Sequence, residues 1–298
     1  MKQLLFIFNP TAGKGQIRGS LAGIVDQFTK LGYLVTIYPT QGKGDAADAA
    51  AMLSIRYDRV ICAGGDGTLS EVAAGLMRLP AGHRPPLGYI PFGSTNDCAH
   101  NLRLPAGASA CAAVAASGVM RPCDIGTLNG RSFFYVAAFG AFTDVAYDTP
   151  QDLKKTFGHL AYILAAVGRM PTITPYSLTI QHDGGTLEGE FLLGLVCNTI
   201  SVGGIKPLAA DQVALDDGLF EVILLRPPKT VADFQQVIQT ITQQKPAPGD
   251  GMIVLHTSRL TVSGEVSLPW TTDGEYGGSF LRAEIQVHPQ AITTIQGL

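Results

Sequence analysis

A glycine-rich segment with one acidic residue is the part of the sequence best suited to chemistry. Its residues are Gly64-Gly65-Asp66-Gly67-Thr68, after a predicted strand at 58–62 and before a predicted helix that begins near Ser70. Glycines let backbone amides approach a phosphate closely, and a helix N-terminus favours anions. Asp66 would repel phosphate unless it holds Mg²⁺, directly or through water, or orients a hydroxyl. An Asp-Gly turn before an ordinary helix is the alternative interpretation.

Two further glycine-containing segments follow predicted strands. One reads NPTAGKG at residues 9–15, and the other reads PFGSTND at residues 91–97. Loops at the carboxyl ends of parallel strands converge on one crevice, so we expect all three segments to face one ligand. Neither a Walker A loop nor a dinucleotide fingerprint is predicted, because Gly15 stands where Ser or Thr should follow the lysine and the glycines do not fit GxGxxG.

The elements that must position these segments alternate between strands and helices in the first 122 residues. This alternation is typical of βαβ units, so we expect an α/β domain with a parallel sheet over residues 1–122. The predicted strands are 4–8, 34–38, 58–62 and 87–90, and the predicted helices are 17–31, 44–54, 70–77 and 106–117.

The rest of the chain is rich in strand-like segments separated by Gly, Asp and Asn turns, which predicts an all-β second domain over residues 123–288. The predicted strands are 132–138, 177–182, 190–198, 219–225, 252–256, 258–262 and 280–287. One amphipathic helix is predicted from Asp152 to Val167, and it carries Lys154 and Lys155. Such a helix either contacts anionic lipid head groups at a membrane surface or packs its apolar face on its own domain.

Composition narrows the class of protein. The 298 residues carry a net charge of -3, which disfavours nucleic acid as a partner. The five cysteines are widely spaced and lack a CxxC pair, so neither a disulfide framework nor a zinc site is predicted, and we expect a cytoplasmic protein. No apolar run reaches the roughly 18 residues that span a bilayer, so any membrane contact should be peripheral.

In combination, NPTAGKG, GGDGTLSEV and PFGSTND resemble the catalytic domain of the diacylglycerol kinase family, which includes soluble bacterial members and the sphingosine kinases. The segments LDDG at 215–218 and DGE at 273–275 extend the resemblance. It implies a Rossmann-like three-layer α/β domain that binds ATP and Mg²⁺, a β-sandwich domain for the lipid substrate, and an active site in the cleft between them. The tail 289–298 would return to the first domain.

The resemblance also implies which residues bind the nucleotide. Ser94 stands where the family pattern has Thr, so the hydroxyl is kept and the methyl group is lost. The implied residues are Asn9, Pro10, Thr11, Ala12, Gly13, Thr40, Gly65, Asp66, Gly67, Thr68, Leu69, Ser70, Glu71, Ser94, Asn96 and Asp97.

Further residues are implied in catalysis and metal binding. The resemblance makes Glu275 the general base, with Asp273 beside it to assist or to hold metal, and the residues alone leave open which of the two takes which role. A hairpin turn with a solvated Glu is the alternative interpretation of DGE. Asp217, with the backbone carbonyls of Ala214 and Leu219, would form a second Mg²⁺ site apart from the transferred phosphate, although Leu-Asp-Asp-Gly is also an ordinary turn.

The expected function is transfer of the ATP γ-phosphoryl group to a lipid hydroxyl, with diacylglycerol as the expected acceptor. Another lipid (a sphingoid base, phosphatidylglycerol or undecaprenol) stays open, as does NAD kinase, which shares GGDGT. PFGSTND favours the lipid kinases. A binding protein without turnover is a further alternative, against which the retained carboxylates argue. The expected partners are ATP, a lipid substrate and a membrane surface, and a homodimer is left open.

Overall fold

The structure is a computed structural model that describes residues 1–140, 174–199, 202, 213–228, 230, 233 and 251–298. The helix predicted from Asp152 to Val167 lies outside the described residues, so its proposed membrane contact stays a prediction. Within the described residues, no helix is both long enough and apolar enough to cross a membrane.

Four parallel strands form the centre of the first part of the chain. They are β1 (Lys2–Phe8), β2 (Tyr33–Pro39), β3 (Arg59–Gly64) and β4 (Leu87–Pro91), in the spatial order β4-β3-β1-β2. In β1 the buried run alternates between faces, with Phe6 in one core cluster and Leu5 and Ile7 in another. A continuous apolar run is what a parallel strand covered on both faces requires.

Five α-helices accompany this sheet: α1 (Gln16–Lys30), α2 (Asp45–Leu53), α3 (Asp66–Met77), α4 (Asp97–Asn101) and α5 (Ala108–Ser117). Residues of α1 and α5 share a core cluster with Phe6, whereas those of α2 and α3 share one with Leu5. Helices α2 and α3 approach closely at Gly75, where a Cβ atom would lie 2.3 Å from the Ala47 carbonyl oxygen. The predicted helical layers are therefore present on both faces.

The second part is built from antiparallel strands. The strands are β5 (Val119–Leu128), β6 (Arg131–Phe133), β7 (Val136–Gly140), β8 (Tyr176–His182), β9 (Gly185–Phe191), β10 (Leu193–Cys197), β11 (Phe220–Leu225), β12 (Met252–Thr257), β13 (Arg259–Thr272) and β14 (Glu275–Gln296). The main path of the sheet runs β12-β11-β10-β7-β13-β14. Strand β5 pairs with β14 and β6 pairs with β5, while β8 pairs with β13 and β9 pairs with β8.

Strand β14 belongs to both parts. It pairs with β13 and β5, and its Thr294 pairs with Leu87 of β4, so the two parts share one continuous sheet. The predicted boundary at residue 122 falls inside β5. Pro122 is tolerated there because residues 119–123 pair with β14 alone, and a residue without an N–H group fits a strand that has one neighbour. The division into domains stays a prediction.

Several predicted element bounds were wrong. Helix α3 begins at Asp66 rather than near Ser70, because Gly65 takes the N-cap position and an acidic residue suits the first turn. The strand predicted over 132–138 is interrupted between β6 and β7, and that predicted over 190–198 covers the end of β9 and all of β10. Strands β13 and β14 extend well beyond 258–262 and 280–287, because polar residues and glycines at their ends hide the alternation.

A carboxyl group lies buried in the second part of the chain. Glu221 of β11 is fully buried between Cys197 of β10 and His256 of β12. Neither of its carboxyl oxygens has a hydrogen-bond partner within the described part of the chain. Burial raises the pKa of Glu221 to about 8, and the nearby carboxylates of Asp217 and Asp124 act in the same direction.

We expect Glu221→Gln to increase stability, and to do so more at about pH 8.5 than at about pH 5.5. The folded pKa lies above the ordinary value of 4.5, so the folded state keeps a proton that the unfolded state loses, and stability falls as the pH rises through this range. One pKa unit corresponds to about 1.4 kcal/mol. The melting temperature of both proteins, measured at both pH values, tests this.

The matched control is Glu188→Gln on β9, where the side chain is exposed. It should change the melting temperature equally little at both pH values. An equal effect of Glu221→Gln at the two pH values would contradict the assignment of a raised pKa to this residue.

Candidate active site

The carboxyl ends of the parallel strands lie side by side at one edge of the sheet. The Asn9 N–H donates to the carbonyl oxygen of Ala63 at 2.9 Å, and the Phe92 N–H donates to that of Gly64 at 2.7 Å. These bonds join the loops that follow β1, β3 and β4. The three glycine-containing segments found in the sequence are therefore brought together.

Two glycine contacts make this convergence close. A Cβ atom on Gly93 would lie 2.7 Å from the Cα atom of Gly65, so the third loop cannot carry a side chain at this position without moving. A Cβ atom on Gly13 would lie 3.1 Å from the Phe92 carbonyl oxygen, and Gly13 also has a positive φ of 58°. Main chain therefore lines the junction of the three loops, which is the arrangement that phosphate binding by backbone amides requires.

Asn9 shapes the first of these loops. Its side-chain oxygen accepts hydrogen bonds from the Thr11 N–H at 2.9 Å and from the Thr11 hydroxyl at 2.8 Å. The chain then turns through left-handed conformations at Gly13, Lys14 and Gly15. Because the Asn9 side chain is used to form the turn, its contribution to a site is to hold the following backbone in place.

Asp66 joins the second loop to the third. It is the first residue of α3, and its carboxylate accepts the backbone N–H groups of Asp97 at 3.1 Å and Cys98 at 3.2 Å, in the first turn of α4. Burial raises the pKa of Asp66, and the charge of Asp97 adds to the shift, while the two backbone hydrogen bonds oppose it. A carboxylate offers about four acceptor positions, so capacity remains for a cation or a water molecule.

The third loop is held by its own asparagine. Asn96 has a positive φ of 54°, accepts the Gly93 N–H at 2.8 Å and donates to the Gly93 carbonyl oxygen at 2.9 Å. Asp97 is buried at the start of α4, and Ser94 is exposed. Within this loop, Ser94 is thus placed to meet a ligand, whereas Asn96 fixes the loop's shape.

Asp273 connects the two parts of the chain. It lies at the turn between β13 and β14 with a φ of 51°, and it is 7% exposed. Its carboxylate accepts the N–H groups of Phe134 at 2.6 Å, Tyr135 at 2.9 Å and Val136 at 3.0 Å, together with the Ser70 hydroxyl from α3. Burial raises the pKa of Asp273, against the effect of these bonds. Its four acceptor positions are filled, so its geometry favours positioning over proton transfer.

Glu275 lies two residues further on and is exposed. Its Oε2 lies 2.5 Å from the Nζ atom of Lys43, which belongs to the loop between β2 and α2. The carboxylate of Glu275 raises the pKa of Lys43 through the hydrogen bond and the charge interaction. The DGE turn and the strand-end loops therefore face each other, joined by the Ser70–Asp273 bond and by the Lys43–Glu275 ion pair.

The predicted second metal site lies in a loop with other contacts. One oxygen of the Asp217 carboxylate accepts the Leu219 N–H at 3.0 Å and so stabilises the turn. Asp124 of β5 anchors this loop, since it accepts the N–H groups of Gly218 and of Gln290, both at 2.6 Å. Within the described ranges, no group of three or more His, Cys, Asp or Glu side chains could hold a metal ion. A site here would depend on carbonyl oxygens, as the donor set of one carboxylate and two carbonyls predicts.

The other predicted nucleotide residues lie along the same edge of the sheet. Thr40 is buried at the end of β2, and Thr68 and Leu69 are buried in α3. The Glu71 carboxylate accepts the Gly44 N–H at 2.9 Å and so holds the start of α2. The partly or fully exposed members of the set are Asn9, Pro10, Thr11, Ala12, Gly13, Gly65, Asp66, Gly67, Ser70, Glu71, Ser94 and Asn96.

Sequence reasoning missed two residues of this region. Lys43 stands in the glycine-flanked run Gly42-Lys43-Gly44 after a strand, a signal that could have drawn attention to it. Asp124 gave no such signal, because an isolated Asp in an apolar strand has no motif around it. Its importance comes from the backbone groups of Gly218 and Gln290, which are distant in sequence.

Comparison with protein families agrees with this architecture. Residues 3–128 match the model of the diacylglycerol kinase catalytic domain, and residues 138–296 match the model of the YegS C-terminal NAD kinase beta sandwich-like domain. The predicted fold class, an α/β part followed by a β-sandwich part, is confirmed. The class of protein that this fold defines is a lipid kinase.

Relatives are similar over nearly the whole chain. The diacylglycerol kinase of Bacillus subtilis is 38% identical over 280 residues, which cover 93% of this chain and 91% of the relative. The diacylglycerol kinase of Staphylococcus aureus strain bovine RF122 is 34% identical over 278 residues, covering 93% and 87%. The chain belongs to the diacylglycerol kinase family.

Solved structures share the fold. A crystal structure of a diacylglycerol kinase from Bacillus anthracis has a TM-score of 0.78 with 23% identity, and it covers 99% of this chain and 97% of that chain. Another structure of a protein from the same organism has a TM-score of 0.85 with 24% identity, covering 99% and 95%. At these identities the likeness concerns the fold.

We expect the Ser70–Asp273 bond to contribute to global stability. Ser70→Ala should lower the free energy of unfolding by about 1 to 2 kcal/mol, because the charged partner loses one hydrogen bond. Asp273→Asn should lower it by about 3 kcal/mol or more, since an amide cannot accept from all four donors. Urea unfolding of the two single variants and the double variant measures the coupling between them.

The matched control is Asp26→Asn, at an exposed residue of α1 whose side chain pairs with Lys30. It should change stability by less than about 1 kcal/mol. Strictly additive effects of the Ser70 and Asp273 substitutions would contradict a direct bond between them.

Proposed function

We propose that this lipid kinase transfers the γ-phosphoryl group of ATP to the hydroxyl of a lipid, with diacylglycerol as the acceptor and phosphatidic acid as the product. One observation carries the proposal. The Ser70–Asp273 bond fixes the DGE turn against the first turns of α3, so Glu275 lies opposite loops whose glycine backbone suits phosphate. The names of the relatives agree with diacylglycerol as the acceptor.

The strand-end loops would bind the phosphates of ATP. Backbone amides around Gly13, Gly65 and Gly67 can approach the phosphate oxygens, and the exposed Ser94 hydroxyl can donate to one of them. Asp66 keeps acceptor capacity beyond its two backbone bonds, so it fits a role in holding Mg²⁺ directly or through water. When bound, Mg²⁺ neutralises the charge that develops on the phosphates.

Glu275 would be the general base. Its exposed carboxylate can accept the proton of the lipid hydroxyl as the oxygen forms a bond to the γ-phosphorus, while the bond to the β,γ-bridging oxygen breaks and ADP leaves. Asp273 is unsuited to this step because its acceptor positions are filled by three N–H groups and one hydroxyl. Asp273 would therefore position Glu275.

A phosphoryl-transfer assay with several candidate acceptors tests which molecule receives the γ-phosphoryl group. Purified protein is incubated with γ-labelled ATP, Mg²⁺ and mixed micelles containing diacylglycerol, a sphingoid base, phosphatidylglycerol or undecaprenol, with NAD as a soluble acceptor. We expect label in phosphatidic acid, and none with Asp66→Ala. Label in NAD instead would favour NAD kinase activity, to which the name of the second matched domain points. ATP binding without label in any acceptor would favour a binding protein.

A lipid acceptor also determines where the protein works. Reaching a hydroxyl in a bilayer requires peripheral contact with a membrane, and the ATP donor is supplied in the cytoplasm. We therefore propose a cytoplasmic protein that acts at the inner face of the membrane. Co-sedimentation with vesicles containing diacylglycerol, with and without ATP, tests this contact.

Substitution of the proposed base should separate catalysis from folding. We expect Glu275→Gln to lower kcat by about 100-fold or more, the usual size of a general-base effect. The melting temperature should change by little because the side chain is exposed. The control is Glu284→Gln, at an exposed residue of β14 that pairs with Arg282. A Glu275→Gln variant with unchanged kcat would remove Glu275 from this role.

The loop with Asp217 should bind a cation that stabilises the protein. We expect Mg²⁺ to raise the melting temperature of the wild-type protein, and Asp217→Ala to reduce that rise. Asp216→Ala is the matched control, because Asp216 is the neighbouring acidic residue and its backbone oxygen, which accepts from the Gln290 side chain, is kept in the variant. Equal Mg²⁺ responses in the two variants would argue against Asp217 as a ligand.

A further inference from the structure

The proposed general base, Glu275, takes part in an ion pair. The Nζ atom of Lys43 lies 2.5 Å from Oε2 of Glu275, although the two residues are 232 positions apart in sequence. Their side chains are 72% and 53% exposed. An exposed ion pair contributes at most about 1 kcal/mol to the stability of a protein, so the fold does not depend on it. Either side chain can therefore leave this ion pair for another partner.

Both residues extend from backbone that is held on each side. The Gln41 N–H donates to the Asp45 carboxylate at 2.7 Å, and the Gly44 N–H donates to Glu71 at 2.9 Å, so the loop that carries Lys43 is fixed against α2 and α3. The Glu275 backbone follows directly on the turn anchored by Asp273. Exchange of the ion pair therefore requires only movement of side chains.

The position of Lys43 favours exchange toward a phosphate. Besides Glu275, the charged groups that act on Lys43 are Glu71, on the nucleotide side of the cleft, and Arg131, which acts in the opposite sense. Lys43 lies in the loop that follows the same sheet edge as Thr40 and the proposed phosphate loops. A lysine ammonium on its long flexible side chain is a common ligand of phosphate, and a triphosphate attracts it more strongly than one carboxylate.

We propose that Lys43 pairs with Glu275 while the nucleotide site is empty and transfers to the phosphates of ATP when ATP binds, which releases Glu275 for the acceptor hydroxyl. This inference rests on the proposed function. Lys43 then makes the base available only after the phosphate donor is in place. No bond is made or broken in this exchange, since only an ion pair is replaced.

The exchange predicts coupling between Lys43 and Glu275 in ATP binding. Lys43→Gln should weaken binding of Mg-ATP by about tenfold, the loss expected for one charge-assisted hydrogen bond. Glu275→Gln should strengthen binding severalfold, because Lys43 no longer has to leave a carboxylate. In the Lys43→Gln background that gain should shrink to the small effect of removing one negative charge. The affinity for Mg-ATP is measured by isothermal titration calorimetry for the wild-type protein, the two single variants and the double variant, which together form a double-mutant cycle.

The control variants separate charge from position. Lys43→Arg keeps the charge and should retain most of the affinity, whereas Lys30→Gln, which removes an exposed charge from α1, should leave it unchanged. Titration with AMP in place of ATP should show no dependence on Lys43. Wild-type affinity in Lys43→Gln, or additive effects in the cycle, would overturn the proposal.

These binding measurements need no turnover. If the coupling holds but no lipid is labelled in the acceptor assay, the proposed function fails and the exchange stands as a property of the nucleotide site. If lipid is labelled but the cycle is additive, the kinase function stands and the role of Lys43 is rejected. The two failures are therefore distinguishable.

Discussion

The structure around the candidate site depends on one buried carboxylate. A charge removed from water is costly unless it is fully hydrogen-bonded, and Asp273 meets this condition by accepting three consecutive backbone N–H groups and the Ser70 hydroxyl. The same bonds set the position of the turn between β13 and β14, the break between β6 and β7, and the start of α3. Each of these elements would have to move if this one group were displaced.

Burial gives the carboxylates of the region different chemical roles. The acceptor positions of Asp273 are filled, Asp66 is partly used by α4, and Glu275 is exposed and paired with Lys43. Three acidic residues near one site thus differ in the number of acceptor positions left for a ligand. That number follows from tertiary contacts and not from residue type, which explains why similar-looking motifs, DGT and DGE, contribute so differently to the proposed mechanism.

Local patterns predicted much of the fold. The apolar run at Leu4–Phe8 and the doubled glycine at 64–65 each determine their structure within a few residues, so β1 and the β3–α3 loop were found. Contacts between distant residues were not predictable in this way. The hydrogen bonds of Asp273 are one example, because their donors, at 134–136 and 70, are far away in sequence. The pairing that accommodates Pro122 inside a strand is another, because its partner lies at the end of the chain.

Strand β14 has a mechanical consequence. Since it pairs with β13, β5 and β4, the first part of the molecule and the β-sandwich part meet in one hydrogen-bonded sheet. A closure that moved one part relative to the other would have to twist this sheet. A polypeptide that ended near residue 122 would lack β14, so β4 would keep β3 beside it and lose its pairing with Thr294. The part that matches the catalytic-domain model therefore takes one of its strand neighbours from the far end of the chain.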